Sequence, residues 1–293
     1  FLYFMRIYKY DSFFEIIKFP LFILIAYSLC INFKKERYKL IIFAHGYCIS
    51  LLLTILFFNT YVVSGNRYTG YVNRMAGTFS NPNSFANFTI LGIYMSLFII
   101  FYENSHKAKK VIGIMYFLAF IYALILSGSR GAMIGLFIGI GALIFRMNSS
   151  VIKRKYIIGL IVLLLIFLII KFNDISIYLS RFLDKSSMAS IYNNERFIIW
   201  RSFLRNMDKY IFFGIDYGGM LELNTLTAHS TAHNTYLSIF VRFGIIGAIS
   251  FLGLIFSSFK IAKLKDNKIE NNSYFYCIIR SMLITLMIIS IFI

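Results

Sequence analysis

Charge is scarce in this 293-residue chain: 14% of its residues are Asp, Glu, Lys or Arg, 59% are hydrophobic, and the mean hydropathy is +0.74. Soluble globular domains carry roughly 25% charged residues, so the composition excludes that class and indicates an integral membrane protein. Acids are scarcer than bases, 12 against 30 Lys and Arg. The cores of the apolar segments contain no Asp or Glu apart from Glu15 near the edge of the first, so no carboxylate proton relay is visible. The three cysteines, Cys30, Cys48 and Cys277, are odd in number, lack C-x-x-C spacing and lie in or beside apolar stretches, which supports neither a disulfide nor a metal site.

The apolar residues gather into runs of membrane-crossing length, for which roughly 20 residues at about 1.5 Å each are needed. About eight spans are predicted, at residues 13–31, 40–62, 84–102, 111–127, 131–146, 156–172, 235–258 and 274–293. The expected fold is an all-α, polytopic transmembrane bundle with a large, partly helical extracytoplasmic loop. Residues 1–172 supply the first six helices, 173–234 the loop, and 235–293 the last two. The chain begins at Phe1 and ends at Ile293 within an apolar run, so it is expected to be a fragment.

The net charge of +18 does not point to nucleic acid, because the bases collect in alternate loops. Lys34, Lys35, Arg37 and Lys39 form one cluster, and Lys107, Lys109 and Lys110 a second. Arg146, Lys153, Arg154 and Lys155 form a third, and Lys260, Lys263, Lys265 and Lys268 a fourth. The positive-inside rule makes these cytoplasmic and places 64–83, 127–130 and 173–234 outside.

Polar residues at the outer ends of spans are the functional candidates. In "RMAGTFSNPNSFANF", Pro82 disfavours helix at Asn81, so a span starts near Asn83 or Ser84; ordinary capping explains the amides equally well. In "LSGSRGAMIG" the glycines permit a tight reversal with Arg130 at its tip, either in a site or snorkelling to headgroups. In "NNERFIIWRSFLRNM", Arg196, Trp200, Phe203 and Met207 share one helical stripe, Arg201 and Arg205 lie on another face, and Asn193 or Asn194 caps the start. An interfacial helix with a snorkelling arginine accounts for the same spacing. "FFGIDYGGM" reads as a turn. His233 and Asn234 stand where the outer segment meets a span, with Gly244 and Gly247 further in to permit close helix approach. Arg242 either extends a cationic cavity inward or pairs with another span.

His233-Asn234, nine residues, Gly244, two residues, Gly247 resembles the H-[N/S/Q]-x9-G-x-x-G motif of the O-antigen ligase and polymerase family of membrane glycosyltransferases. "GTFSNPNSFAN", "SGSRGAMIG" and "RFIIW" resemble further segments of that family in the same order, within about residues 70–255. The resemblance implies a GT-C-like fold in a bacterial plasma (inner) membrane with the active site on the extracytoplasmic side. The substrate would be an undecaprenyl-diphosphate-linked oligosaccharide, and flippase and chain-length regulator proteins are the candidate protein partners besides the bilayer. Guanidinium groups suit a diphosphate leaving group, which selects Arg130 and Arg196, with Arg74 and Arg201 behind them and Asn83 and Asn234 beside them. Histidine suits proton removal from an acceptor hydroxyl, which gives His233 the catalytic role.

The outer acids, Asp174, Asp184, Glu195, Asp208, Asp216 and Glu222, form no D-x-D pair, so a metal-independent transfer with no cofactor is expected. Ligases of the family often carry R-x-x-x-L where this chain has Arg196 and Trp200. With a composition rich in Phe, Tyr, Ile, Asn and Lys, typical of AT-rich genomes, this tilts the reading toward a capsular or exopolysaccharide repeat-unit polymerase. A ligase, or in a different class a lipid-linked oligosaccharide flippase or transporter, are the alternatives.

Overall fold

The computed structural model describes residues 37–58, 60–66, 70–102, 106–146, 195–215, 233–266 and 273–291. The expected spans at 13–31 and 156–172, the loop stretches 173–194 and 216–232, and the proposed caps Asn193 and Asn194 lie outside them. Two compact units divide at Gly46 and Tyr47, within the first described helix. Within the first unit the helix begins at Arg37. All contacts given below belong to the second unit.

In chain order the described elements are α1 (Arg37–Phe57), β1 (Thr60–Asn66), β2 (Gly70–Gly77), α2 (Pro82–Phe101), α3 (Lys107–Ser127), α4 (Arg130–Arg146), α5 (Glu195–Arg205), α6 (Thr235–Asp266) and α7 (Ser273–Ile289). Among the described residues, four stretches are long and apolar enough to cross a membrane: Lys39–Phe57, Pro82–Phe101, Lys107–Ser127 and Thr235–Lys260. Arg130–Phe145 and Phe275–Ile289 are shorter apolar helices. The expected helices at 84–102, 111–127, 131–146, 235–258 and 274–293 thus all appear.

The expectation of an all-α chain is corrected by one hairpin. The span predicted at 40–62 ends at Phe57, and Thr60–Asn66 pairs antiparallel with Gly70–Gly77, with Tyr61 opposite Met75 and Val63 opposite Asn73. The physical reason lies in "TYVV" and "GYV", whose β-branched and aromatic residues fit a pleated surface, flanking a short polar connection that reverses the chain. Hydropathy alone counts Tyr61 and Val62 as helix.

The helices of the second unit pack where small residues let backbones approach, as expected where lipid removes the hydrophobic drive for helix association. α2 begins with Asn81 as cap, its side chain accepting the Asn83 N–H at 2.8 Å, and Pro82 follows in the first turn, where its missing N–H costs nothing. Gly92 on α2 seats the side chains of Leu51 and Phe120, and Gly113 on α3 seats Ile99 and Ile100. α4 and α7 run antiparallel: Gly135 lies against Ile289, and Gly139 against Thr285. At Gly139 three helices meet through polar groups. The Tyr94 hydroxyl bonds with Thr285 Oγ1 at 2.6 Å and with Ser281 Oγ at 3.0 Å, and Ser281 Oγ in turn donates to the Gly139 carbonyl. Tyr94, Ser281 and Thr285 are all buried, so this node satisfies hydroxyls that would be costly to leave unpaired in hydrocarbon.

α6 is broken. At Gly244 the backbone takes φ 63° and ψ −164°, a conformation essentially restricted to glycine, and divides an outer half (235–243) from an inner half (245–266). α5 packs on the outer half: Ile199, Phe203, Tyr210 and Val241 form a buried cluster, with Trp200, Ile215, Leu237 and Phe240 against it. Each fully buried apolar side chain of this size stabilises by about 1.5–3 kcal/mol. The inner half presents Ile246, Ile249, Leu252, Leu254 and Phe256 outward, a surface suited to lipid.

Candidate active site

The reversal between α3 and α4 is built tightly. Gly128 takes the left-handed conformation that closes α3, its N–H bonding the Ile125 carbonyl at 2.8 Å, and Arg130 opens α4. Ser127 and Ser129 are buried beneath the turn while Arg130 itself is exposed. Arg74, on β2, fixes this turn from the side. Its Nε donates to the Ser127 carbonyl at 2.6 Å and its Nη2 to Asn83 Oδ1 at 2.8 Å. One guanidinium therefore links the hairpin, the start of α2 and the reversal carrying Arg130. Such charge-assisted bonds are among the stronger ones, about 1.5–3 kcal/mol each.

Arg196 lies on α5. It is half-buried, and its basicity is lowered first by burial and then by the positive charge of Arg130. A half-buried guanidinium within electrostatic reach of a second one marks a locus that favours an anion. Arg201, five residues further along α5, is exposed. The predicted stripe is also adjusted: Phe203 is buried, together with Ile199 from outside the stripe, whereas Met207 is partly exposed in a 3₁₀ turn beyond the helix end.

His233 stands immediately before α6 with a positive φ of 48°, unusual for a residue with a side chain, and is half-buried. Asn234 is the cap of α6: its Oδ1 accepts the Leu237 N–H at 3.0 Å, which ties that oxygen to the helix start. The Thr235 N–H donates to the Ser290 carbonyl at 2.8 Å, and the Tyr236 hydroxyl donates to the Met287 carbonyl at 2.9 Å. His233 is thereby held near the end of α7 that lies beside Gly135, and Arg130 is five residues from Gly135, about 7.5 Å along α4. His233, Arg130, Arg196, Arg74 and Asn83 therefore occupy one end of the bundle. Arg242 is exposed two residues before the break in α6.

Sequence reasoning missed the segment Ile211–Ile215. The Ile215 N–H bonds the Val241 carbonyl at 2.8 Å, and the Ile245 N–H bonds the Ile211 carbonyl at 2.7 Å. Gly214, at φ 75°, lies against the Arg242–Phe243 peptide, as Gly244 lies against the Phe212–Phe213 peptide. The glycines of "FFGI" and "RFGI" were the available signal, two copies of one local pattern 30 residues apart.

Residues 115–252 match the O-antigen ligase family. The matched region takes in "SGSRGAMIG", "RFIIW" and the histidine and glycine motif, and "GTFSNPNSFAN" precedes it. The chain is 24% identical over 274 residues to the teichuronic acid biosynthesis protein TuaE of Bacillus subtilis (strain 168). That alignment covers 86% of this chain and 56% of the relative, so the chain spans little more than half the relative's length.

Proposed function

We propose, from the match of residues 115–252 to the O-antigen ligase family, that the chain polymerises polyprenyl-diphosphate-linked oligosaccharide repeat units on the outer face of a bacterial plasma membrane, without a metal ion. The observation that supports this reading is that Arg196 lies within electrostatic reach of Arg130, which opens α4 at the end of the bundle where His233 is held. In this reading the growing glycan leaves its diphosphate as an acceptor hydroxyl attacks the anomeric carbon. The guanidiniums of Arg130 and Arg196 take up the negative charge that develops on the departing diphosphate. His233 accepts the hydroxyl proton, so that a neutral imidazole becomes imidazolium as the glycosidic bond forms and the sugar–phosphate bond breaks. Arg74 and Asn83 hold the Ser127–Arg130 reversal in place rather than compete for the phosphate.

The teichuronic acid assignment of the relative is compatible with a polymer-building step. A ligase would use the same groups on a different acceptor, and the two readings diverge in what accumulates when the gene is deleted. Loss of a polymerase collapses the surface-glycan ladder to single repeat units facing outward. Loss of a ligase leaves full-length polymer on its lipid carrier, and loss of a flippase traps single units on the cytoplasmic leaflet. The polymerase reading requires the first outcome, and an unchanged ladder refutes it. His233→Ala at normal membrane abundance should reproduce the deletion, with a rate loss of about 10²–10⁴.

A further inference from the structure

Val241 and Ile245 stand four apart in α6, the spacing at which a carbonyl and an N–H close one helical turn. Here the break at Gly244 lets each bond the loop instead, Val241 to Ile215 and Ile245 to Ile211. The two chain segments run in opposite directions, with Ile211 facing Ile245, Phe212 facing Gly244, Gly214 facing Arg242 and Ile215 facing Val241. A Cβ on Gly244 would overlap the Phe212 carbonyl and lie 2.7 Å from the Phe213 nitrogen; one on Gly214 would overlap the Arg242 carbonyl and lie 2.5 Å from the Phe243 nitrogen. All of these are backbone atoms, so no side chain can swing aside, and both glycines also hold positive φ.

We propose that Gly214 and Gly244 are positioning residues: their crossing splices the loop that carries Arg196 into the span that carries His233 and fixes the register of the two. The path is continuous. Arg196 sits on α5, which is packed through Ile199 and Phe203 on Tyr210; Tyr210 leads into Ile211–Ile215; that segment bonds both sides of the break in α6. Both glycines act through the backbone that they cross. The proposal rests on the transferase reading for its functional half only, since the splice is a matter of backbone geometry.

The test uses the full chain, purified, with Cys30, Cys48 and Cys277 replaced and spin labels at Arg205 on α5 and Ser257 on the inner half of α6, both exposed. Gly214→Ala and Gly244→Ala should each shift or broaden the label-to-label distance and lower repeat-unit transfer at least tenfold. Gly253→Ala on the same helix, whose Cβ would meet nothing within 4 Å, should change neither. Where an alanine variant fails to fold, Ile245→Pro replaces it. Proline suits the first position of the inner half-helix, removes the N–H that bonds Ile211 and sets its ring Cδ against that carbonyl, so this variant should fold with a broadened distance, whereas an unbroken α6 would be disrupted by it. An unchanged distance in Gly214→Ala and Gly244→Ala overturns the proposal whatever the activity. A shifted distance with full transfer overturns the positioning role while leaving the polymerase reading intact. Absence of transfer in the unaltered protein refutes the polymerase reading, and the distance measurement still decides the splice.

Discussion

A methyl group at Gly139 should unseat the polar node that joins α2, α4 and α7. In the native packing an added Cβ would coincide with Thr285 Oγ1, lie 2.5 Å from the Tyr94 hydroxyl and 3.1 Å from the Ser281 carbonyl. Gly139→Ala gains helix propensity worth up to about 1 kcal/mol. Against this stand overpacking, typically about 1–3 kcal/mol, and loss of the Tyr94–Thr285 and Tyr94–Ser281 hydrogen bonds, about 0.6 kcal/mol each and up to about 1.7 in membrane proteins. The balance is a destabilisation of about 2–3 kcal/mol, or a fall in Tm of roughly 5–10 °C. Thermal unfolding of the purified protein in detergent or nanodiscs reads this directly. Thr285→Ala removes the atom that the methyl strikes, so the double variant should lose less than the sum of the singles by about 1 kcal/mol or more. A Gly139→Ala protein as stable as the parent, or strict additivity with Thr285→Ala, would refute the packing described for α4 against α7.

Further outcomes test the site and its setting. Arg196→Lys should remain impaired at least tenfold in transfer, because an ammonium cannot reproduce the planar two-pronged contact with a diphosphate, whereas Arg201→Lys on the exposed face should retain near-parental rates. In a chain freed of native cysteines, a cysteine at Thr78 should react with an impermeant thiol reagent in intact cells and one at Ala108 only after permeabilisation; the reverse would invert the orientation. Repeat-unit transfer by purified protein should persist in excess chelator, and a loss restored by magnesium or manganese would refute the arginine-based leaving-group chemistry. Burial, with the nearby Asp208 charge, raises the Tyr210 phenol to about 12, while its hydroxyl donates to the Phe203 carbonyl at 2.5 Å. The folded state therefore holds this proton more tightly than the unfolded chain, so the stability of the α5 cluster is complete below about pH 10 and declines between 10 and 12. Tyr210→Phe should flatten that decline, measured by Trp200 fluorescence across the same range.

Hydropathy located the helices well because a span is specified by a sum over many residues, and no single position decides it. It failed at Tyr61 and Val62, where apolar side chains serve a pleat instead of a bilayer; β-branching, which hydropathy ignores, carried the information. The arginine pair was half legible. Arg130 announced itself by standing in a glycine-flanked reversal and Arg196 by sharing a helical stripe with apolar residues, but their proximity depends on α5 docking on α6, a contact between segments about 40 residues apart in sequence. Asn83 and Asn234 stand out in the sequence as polar groups at helix mouths, and each serves its immediate surroundings, Asn83 by accepting the Arg74 guanidinium and Asn234 by capping α6. The crossing of Ile211–Ile215 with the broken span was hidden because it consists of backbone hydrogen bonds, which leave no mark on side-chain pattern except the two glycines that make room for them.

The node at Gly139 also bears on the order in which this protein can be assembled. Tyr94 leaves the ribosome almost two hundred residues before Ser281 and Thr285, its hydroxyl partners on α7. Until α7 inserts, α2 and α4 lack the hydroxyls that later bridge them, and Gly135 and Gly139 present a bare groove to lipid. The same late helix supplies the Ser290 carbonyl that receives the first turn of α6, beside His233. Alignment of this histidine thus awaits insertion of α7, so a chain interrupted before Ser273 would place its early helices in the membrane without completing the site.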